Sequence, residues 1–350
     1  MIREAIGAIV DERRDLTEDE ARGVMQEIMR AGLDGDAEGV ATPAQFGAFV
    51  TALRMKGESV DEIVGMARAM REHALHVRVE ARPLLDTAGT GGSAKKVFNA
   101  STAAAFVAAA AGAKVAKHGN RAMTSQSGSA DLLEALGAQI ALTPQQVADC
   151  IEQTGVGFMF AQAFHPAMKF AGPLRPQIGI RTVFNILGPL TNPAEANCHV
   201  MGVANAEVGE KLAHALARLG IRHALVVSGH DGLDDLTVTG PSEVFEVRAG
   251  AVSRRTVTPF DLGVSRHEFA AIEGGTPQQN AEILRAVFAG GGPPAVRDLI
   301  VANAGAGLYV TGLASSLKQG SELAAKAIDS GDAAAKTGAF VEATRRVAAA

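Results

Sequence analysis

Asp86-Thr87-Ala88-Gly89-Thr90-Gly91-Gly92-Ser93 is the stretch of this chain best suited to hold an anion. Its glycines lack the side chains that would keep a ligand away from backbone amides, and Phe98-Asn99-Ala100-Ser101-Thr102 follows with hydroxyls at what reads as a helix start. Free amides and the positive end of the helix dipole make such a start a receptor for phosphate or diphosphate. The spacing is neither GxGxxG nor GxxxxGK[ST], so the usual dinucleotide and P-loop readings do not apply. A plain tight turn after a strand explains the glycines about as well, and the loop alone leaves that choice open.

Three further stretches bear on it. Lys117-His118-Gly119-Asn120-Arg121 and then Thr124-Ser125-Gln126-Ser127-Gly128-Ser129 follow the apolar run Ala113 to Ala116. A polar loop at the carboxyl end of a parallel strand occupies the crevice where open α/β sheets bind ligands. Lys117 and Arg121 match phosphate charge there, and Ser129 adds a hydroxyl. Asp231-Gly232-Leu233-Asp234-Asp235 follows the apolar run Ala224 to Val227. Adjacent carboxylates suit magnesium, which keeps several waters and binds through one or two carboxylates plus substrate phosphates. Alone, this triplet would be an exposed turn; beside two phosphate loops, a shared metal-diphosphate site explains it better. Finally, His165-Pro166-Ala167-Met168-Lys169 precedes Arg175 and the run Gly179 to Pro193. Arg175 or Arg181 can fork onto a carboxylate while the apolar run walls a small planar substrate, or either can tie two domains together.

The elements that must carry these side chains are of two kinds. Residues 17 to 76 read as three helices. Thr17 with Glu20 opens the first, whose stripe of Ala21, Val24, Met25, Ile28 and Met29 ends before Gly32. Thr42-Pro43 opens the second, with Phe46, Phe49, Val50 and Leu53, and Gly57 closes it. Ser59 with Glu62 opens the third. Beyond Arg82-Pro83, Ala113 to Ala116, Val156 to Ala161, His199 to Val203 and Ala224 to Ser228 read as strands separated by crossover helices, the order of a mostly parallel sheet. Thr237 to Thr239 and Glu243 to Val247 read as an added antiparallel piece, and the alanine-rich run 103 to 111 as a tightly packed helix. The expected class is α/β, with a small all-helical domain over 1–78 and a large sheet domain over 79–350.

Length and composition agree. The 350 residues suit two domains. The net charge of -5 disfavours a polyanion such as nucleic acid as main partner. Cys150 and Cys198 are far apart with no CxxC pattern, so neither a disulfide framework nor a zinc site is indicated. No leader pattern opens the chain, and no window approaches the roughly 20 apolar residues of a membrane helix. The expectation is a cytoplasmic protein without membrane partners.

Taken together, GTGG, FNxST, KHGNR, SGSADLLEALG, HPAMK, GIRTVFNILGPLTNP and DGLDD, in that order from about residue 15 to about 345, resemble the anthranilate phosphoribosyltransferases of tryptophan biosynthesis. The resemblance implies a glycosyltransferase, a pentosyl-transfer enzyme that joins phosphoribosyl pyrophosphate to the anthranilate amine. It implies a sheet domain of the nucleoside phosphorylase type, a helical domain completed by helices from about 166–190 and used for homodimerisation, and Mg²⁺. The expected donor-binding residues are Gly89, Thr90, Gly91, Gly92, Ser93, Val97, Asn99, Ser101, Thr102, Lys117, Asn120, Arg121, Ser125 and Ser129. Gly89, His118, Asn120, His165, Arg175, Gly188 and Pro189 are expected along the anthranilate path, Ser101, Asp234 and Asp235 around magnesium, and Lys117, His118 and Arg175 in catalysis.

The chain departs from the family pattern where charge matters. Ser93 stands for the acid of GTGGD, Val97 for a Thr or Ser, Asp235 for the Glu of the usual DE pair and Gln126 for a lysine, while Lys95-Lys96 add two positive charges. One carboxylate fewer and two lysines more favour a diphosphate with less help from metal, so a reduced magnesium requirement or reduced magnesium inhibition is expected. The milder alternative has the lysines in solvent. Competing readings are a pyrimidine nucleoside phosphorylase-type enzyme, a transferase for another aminobenzoate, and a binding relative that has lost catalysis.

Overall fold

Helices of the first segment start where side chains can satisfy their free amides. In the computed structural model, which describes residues 1–35, 37–91, 95, 97–122 and 126–349, the bundle comprises α1 (Ile2–Val10), α2 (Glu18–Asp34), α3 (Pro43–Lys56) and α4 (Val60–Glu72). Thr17, Thr42 and Ser59 accept from the amides of Glu20, Gln45 and Glu62, whose side chains return the bond, so the starts expected at Thr17 and Ser59 form as capping boxes and the Thr42-Pro43 start proves to be a third. Phe46, Phe49, Val50 and Leu53 are all buried. Helix α1 lies outside the three helices read from the sequence; Met1 offers no side-chain cap, so no start signal marks it. Helix α2 runs through Gly32 instead of ending before it. A Cβ at Gly32 would lie 1.8 Å from the Ala167 carbonyl oxygen, so this glycine permits a close approach and is not a stop.

The remaining elements are β1 (Leu84–Asp86), α5 (Ala100–Ala110), β2 (Lys114–Gly119), α6 (Ser129–Leu136), α7 (Pro144–Thr154), β3 (Val156–Phe160), α8 (Ala161–Phe164), α9 (Ala171–Ile178), α10 (Phe184–Leu187), β4 (Cys198–Gly202), α11 (Ala206–Arg218), β5 (His223–Gly229), β6 (Ser242–Arg248), β7 (Ala251–Val257), α12 (Pro277–Phe288), α13 (Pro294–Thr311), α14 (Leu317–Asp329) and α15 (Asp332–Ala349). The strands form one sheet in the order β3-β2-β1-β4-β5-β6-β7. Neighbours from β3 to β5 are parallel, and β6 and β7 continue the sheet antiparallel. Because β1 sits between β2 and β4, the chain leaves its carboxyl end toward one side and returns on the other. That switch point is where such sheets open a crevice.

Two expectations need correcting. Strand β2 extends to Gly119, with Lys117 opposite Phe158 and His118 opposite Met159, so these two belong to the strand and the loop begins only at Asn120. Thr237 to Thr239 form no strand; the antiparallel partners of β6 are β5 and β7.

One apolar core lies between the sheet and α5 and α13. A second joins the bundle to Ala171, Phe184, Leu187 and Leu190 and continues into Met201, Leu212, Val226 and Phe245. Among the described residues no helix is long and apolar enough to cross a membrane.

Candidate active site at the sheet switch point

Asp86 closes β1 with a fully buried carboxylate. Its Oδ1 accepts from the amides of Ala88 at 3.0 Å and His118 at 3.2 Å, and its Oδ2 accepts from Asn192 Nδ2 at 2.7 Å. Lys117 reaches the same junction. Its Nζ donates to the carbonyl and the hydroxyl of Thr87, each at 3.1 Å, and to Ser101 Oγ at 3.4 Å. Burial pulls Lys117 down to about 8, opposed by the charges of Asp86 and Asp235. Most of it therefore stays protonated at neutral pH.

The glycine loop turns over the ends of β1 and β4. Thr90 N donates to the Gly202 carbonyl at 2.8 Å, and a Cβ on Gly89 would stand 2.8 Å from that same oxygen. A Cβ on Gly202 would stand 1.6 Å from the carbonyl oxygen of Asp234. Two glycines thus let the Asp234 backbone pack on β4 and β4 on the loop, which brings the acidic pair to the loop. Arg181 Nη2 donates to the Gly91 carbonyl at 3.4 Å, linking the segment after α9 to this corner. Gly92, Ser93 and Ser125, together with Lys96 and Thr124, lie outside the described residues.

Other expected donor residues divide into two groups. Thr102 Oγ1 donates to Ser129 Oγ at 3.0 Å, joining the starts of α5 and α6. Asn99 sits at the N-cap of α5, but its side chain does not cap: Nδ2 donates to the Ser127 carbonyl, while Oδ1 accepts from Ser127 Oγ and Asn280 Nδ2. Asn120 is exposed beside them, its Oδ1 accepting from the Arg121 amide. Val97 and Arg121 stand apart. Val97 packs partly buried against the core and bridges to Glu273. Arg121 gives its guanidinium to Glu134 and Asp131. Lys95 is exposed, as the milder alternative has it, with its Nζ 4.3 Å from the centre of the Phe269 ring.

In the acidic turn only Asp231 is internally engaged, accepting from the Leu233 amide and from the hydroxyls of Thr237 and Thr239. The Asp234 carboxylate meets its own backbone amide and the charge of Arg181, and Asp235 faces the charge of Lys117. Burial raises both above the ordinary carboxylate range, and the charge of Asp234 pushes Asp235 further. Two hard, crowded oxygen donors fit a magnesium ion, whose charge would add to those of Arg181 and Lys117 in relieving both effects. Among the described residues no cluster of three His, Cys, Asp or Glu side chains could hold a metal, so substrate oxygens and water would have to complete the shell.

On the other side of Asp86 lie the residues expected for an acceptor. His118 Nδ1 pairs with the Gly188 carbonyl at 3.1 Å, which makes Nδ1 the protonated nitrogen and leaves Nε2 a buried acceptor with no partner among the described residues. His165 stands 5.1 Å away ring to ring, its own Nε2 also buried and unpartnered. Burial, with His165 close by, lowers His118 to about 3; burial lowers His165 to about 4 against the backbone of Thr191. Both are neutral imidazoles at pH 7. Pro189 is buried in the turn after Gly188. Arg175 on α9 is half-buried with its guanidinium 5.8 Å from the Phe184 ring centre, makes no ion pair among the described residues, and is lowered by that burial. Asp86, Thr87 and Asn192 are the junction residues that reading by residue type passed over. The available signal was a polar residue inside an otherwise apolar or glycine-rich run.

Known proteins match this chain over nearly its whole length. The a/b domain of a glycosyl transferase family matches residues 81–334, and the helical bundle domain of that family matches residues 3–74. The anthranilate phosphoribosyltransferase of Chloroflexus aurantiacus is 53% identical over 345 residues, covering 98% of this chain and 99% of the relative. The crystal structure of the Thermus thermophilus enzyme of that name superposes with a TM-score of 0.89 at 43% identity, covering 98% of this chain and 99% of the other. The Saccharomyces cerevisiae enzyme in complex with PRPP and Mg gives a TM-score of 0.89 at 27% identity, covering 99% and 98%. The chain belongs to the anthranilate phosphoribosyltransferase family.

Proposed function

We propose that the junction around Lys117 binds the diphosphate of phosphoribosyl pyrophosphate and that His118, His165 and Arg175 receive anthranilate. The reaction transfers the 5-phosphoribosyl group to the anthranilate amine and releases pyrophosphate. An aromatic amine is already neutral near pH 7, so the amine needs no strong base, and imidazoles as weakly basic as His118 and His165 could not serve as one. The transition state needs charge stabilisation on the leaving diphosphate and alignment of the amine with the anomeric carbon. The amides of Gly89, Thr90 and Gly91, the hydroxyls of Ser101, Thr102 and Ser129, and the Lys117 ammonium would meet the leaving group. Asn120, on the loop after β2, would join them. Asp234, Asp235 and Ser101 would hold magnesium, which when bound supplies positive charge to the diphosphate oxygens. His118 Nε2 can accept a hydrogen bond from the acceptor's amine, and Arg175 its carboxylate. Arg121 and Val97 are left out of this set, the one engaged by carboxylates and the other packed in the core.

The observation that carries the reading is the buried Lys117 ammonium, held where the end of β1, the start of α5 and the field of Asp235 meet. We further propose a helical unit over 1–78 completed by 166–190, a sheet unit over 79–350, a homodimer formed through the helical unit, and a cytoplasmic location.

Fluorescence detection of anthranilate consumption with phosphoribosyl pyrophosphate, with and without Mg²⁺, tests the function. Background is low because the chain has no Trp and one Tyr. Consumption that needs the donor is the expected result. Silence with anthranilate, together with uridine phosphorolysis on added phosphate, would overturn it. The same assay as a Mg²⁺ titration of wild type and Ser93→Asp tests the altered loop. The variant should need more metal or be more inhibited by it, and identical profiles would count against that effect.

A further inference from the structure

A carboxylate buried without a cationic partner is costly, and a neutral side chain would fill the same space more cheaply. Asp86 is close to that case: it is 0% exposed, and the charge of Lys117 acts on it without an ion pair. Among the described residues its one basic neighbour within ion-pair range is His199 at 3.9 Å, whose proton affinity burial lowers. Its compensation comes from three donors on three separate segments. These are the Ala88 amide at the root of the glycine loop, the His118 amide on β2, and the side-chain amide of Asn192, four residues after Gly188. Asn192 is itself fully employed. Its Nδ2 also donates to the Ala116 carbonyl at 2.8 Å and its Oδ1 accepts from the Ala194 amide at 2.9 Å. His118 closes the circuit by holding the Gly188 carbonyl through Nδ1.

We propose that Asp86 is a positioning residue which, through Asn192, latches the acceptor-side segment 188–194 to the glycine loop and the tip of β2, so that the acceptor and donor sites are held in register. The inference rests on the transferase reading above and deepens it. Neither residue touches substrate in that reading. The latch therefore acts on alignment of amine and anomeric carbon, where an error of about 1 Å costs on the order of a hundredfold in rate.

The test uses Asp86→Asn, Asn192→Ala and the double variant of the full chain. Asp86→Asn keeps an oxygen for the two backbone amides but turns its own amide toward that of Asn192. Calorimetric binding of phosphoribosyl pyrophosphate should stay within about twofold of wild type while kcat falls on the order of 10- to 100-fold and the anthranilate KM rises. Because both substitutions cut one connection, the double variant should be no slower than the slower single one. Should Asp86→Asn not fold, Asn192→Ala carries the test with the same split between binding and kcat. The latch is refuted by losses that multiply in the double variant, by a lowered melting temperature with kcat unchanged, or by donor binding lost in proportion to rate. A wild-type chain that transfers nothing would instead sink the transferase reading and the latch with it.

Discussion

Arg175 is half-buried against Phe184 and has no carboxylate partner among the described residues. A guanidinium kept partly dry without a counter-ion is poised for one, and the acceptor brings a carboxylate. A hydrogen bond to a charged group contributes about 1.5–3 kcal/mol, so Arg175→Ala should raise the anthranilate KM on the order of tenfold or more and leave the donor KM nearly unchanged. Steady-state kinetics with each substrate varied checks this, and an unchanged acceptor KM would remove Arg175 from the role. The two imidazoles make a separate prediction about pH. His118 and His165, at about 3 and about 4 in the folded chain, lie below the ordinary 6.5. Between those values the unfolded chain binds more protons, so the stability these groups contribute is complete above about pH 6.5 and drains away as pH falls toward 4. The loss is on the order of 3 kcal/mol for His165. Denaturant unfolding at pH 7 and pH 4.5 should show it, with a smaller drop in His165→Gln; equal drops would mean that His165 protonates in the native state. At this scale residue type pointed to Lys117, His118 and Arg175 as candidates, and the fold carries the first two on β2 and the third on α9. For Arg121 residue type could not show its partners, because folding fixes them: Asp131 and Glu134 lie on the next helix and take the fork in this structure.

At the scale of elements, the starts of α2, α3 and α4 were legible because the capping boxes that satisfy their free amides are local in sequence. What stayed hidden was decided by distant contacts. Strand β1 spans three residues, too few to show alternation, and is a strand because β2 and β4 flank it. Thr237 and Thr239 are β-branched and look like strand residues, yet both hydroxyls donate to Asp231, and that local bonding favours a turn. Gly202 shows how far element packing governs the site. Adding one methyl at the end of β4 would place a carbon 1.6 Å from the Asp234 carbonyl oxygen, so the acidic turn must move. Overpacking of this kind costs about 1–3 kcal/mol. Gly202→Ala should therefore lower the melting temperature and also raise the Mg²⁺ concentration for half-maximal rate and the donor KM. A variant that melts early but keeps its magnesium titration would show that β4 does not set the position of Asp234 and Asp235.

For the whole molecule, the question is whether a chain that reads as two units by pattern behaves as two. The helices of the bundle differ from the sheet region in periodicity and capping, which is why a boundary near residue 78 is visible in the sequence. The apolar core ignores that boundary. Phe46 of α3 lies 5.5 Å from Phe184 ring to ring, and the same cluster reaches Leu212 on α11 and Val226 on β5. A continuous core couples the free energies of the parts it joins, so bundle and sheet should unfold together. The single tyrosine gives a local probe for this. Tyr309 lies on α13, where its hydroxyl donates to Glu246 at 2.7 Å and its ring stands 5.0 Å from His223. Its fluorescence reports the sheet region, whereas far-ultraviolet dichroism reports every helix. Phe46→Ala, a fully buried truncation in the bundle, should cost about 3–5 kcal/mol. With one cooperative unit, both probes should shift to the same lower midpoint. If dichroism were to split into two steps while Tyr309 kept the wild-type midpoint, the bundle would be an independent unit, and any communication between Arg175 and the glycine loop would then have to run through the hydrogen bonds at Asp86 and Arg181 alone.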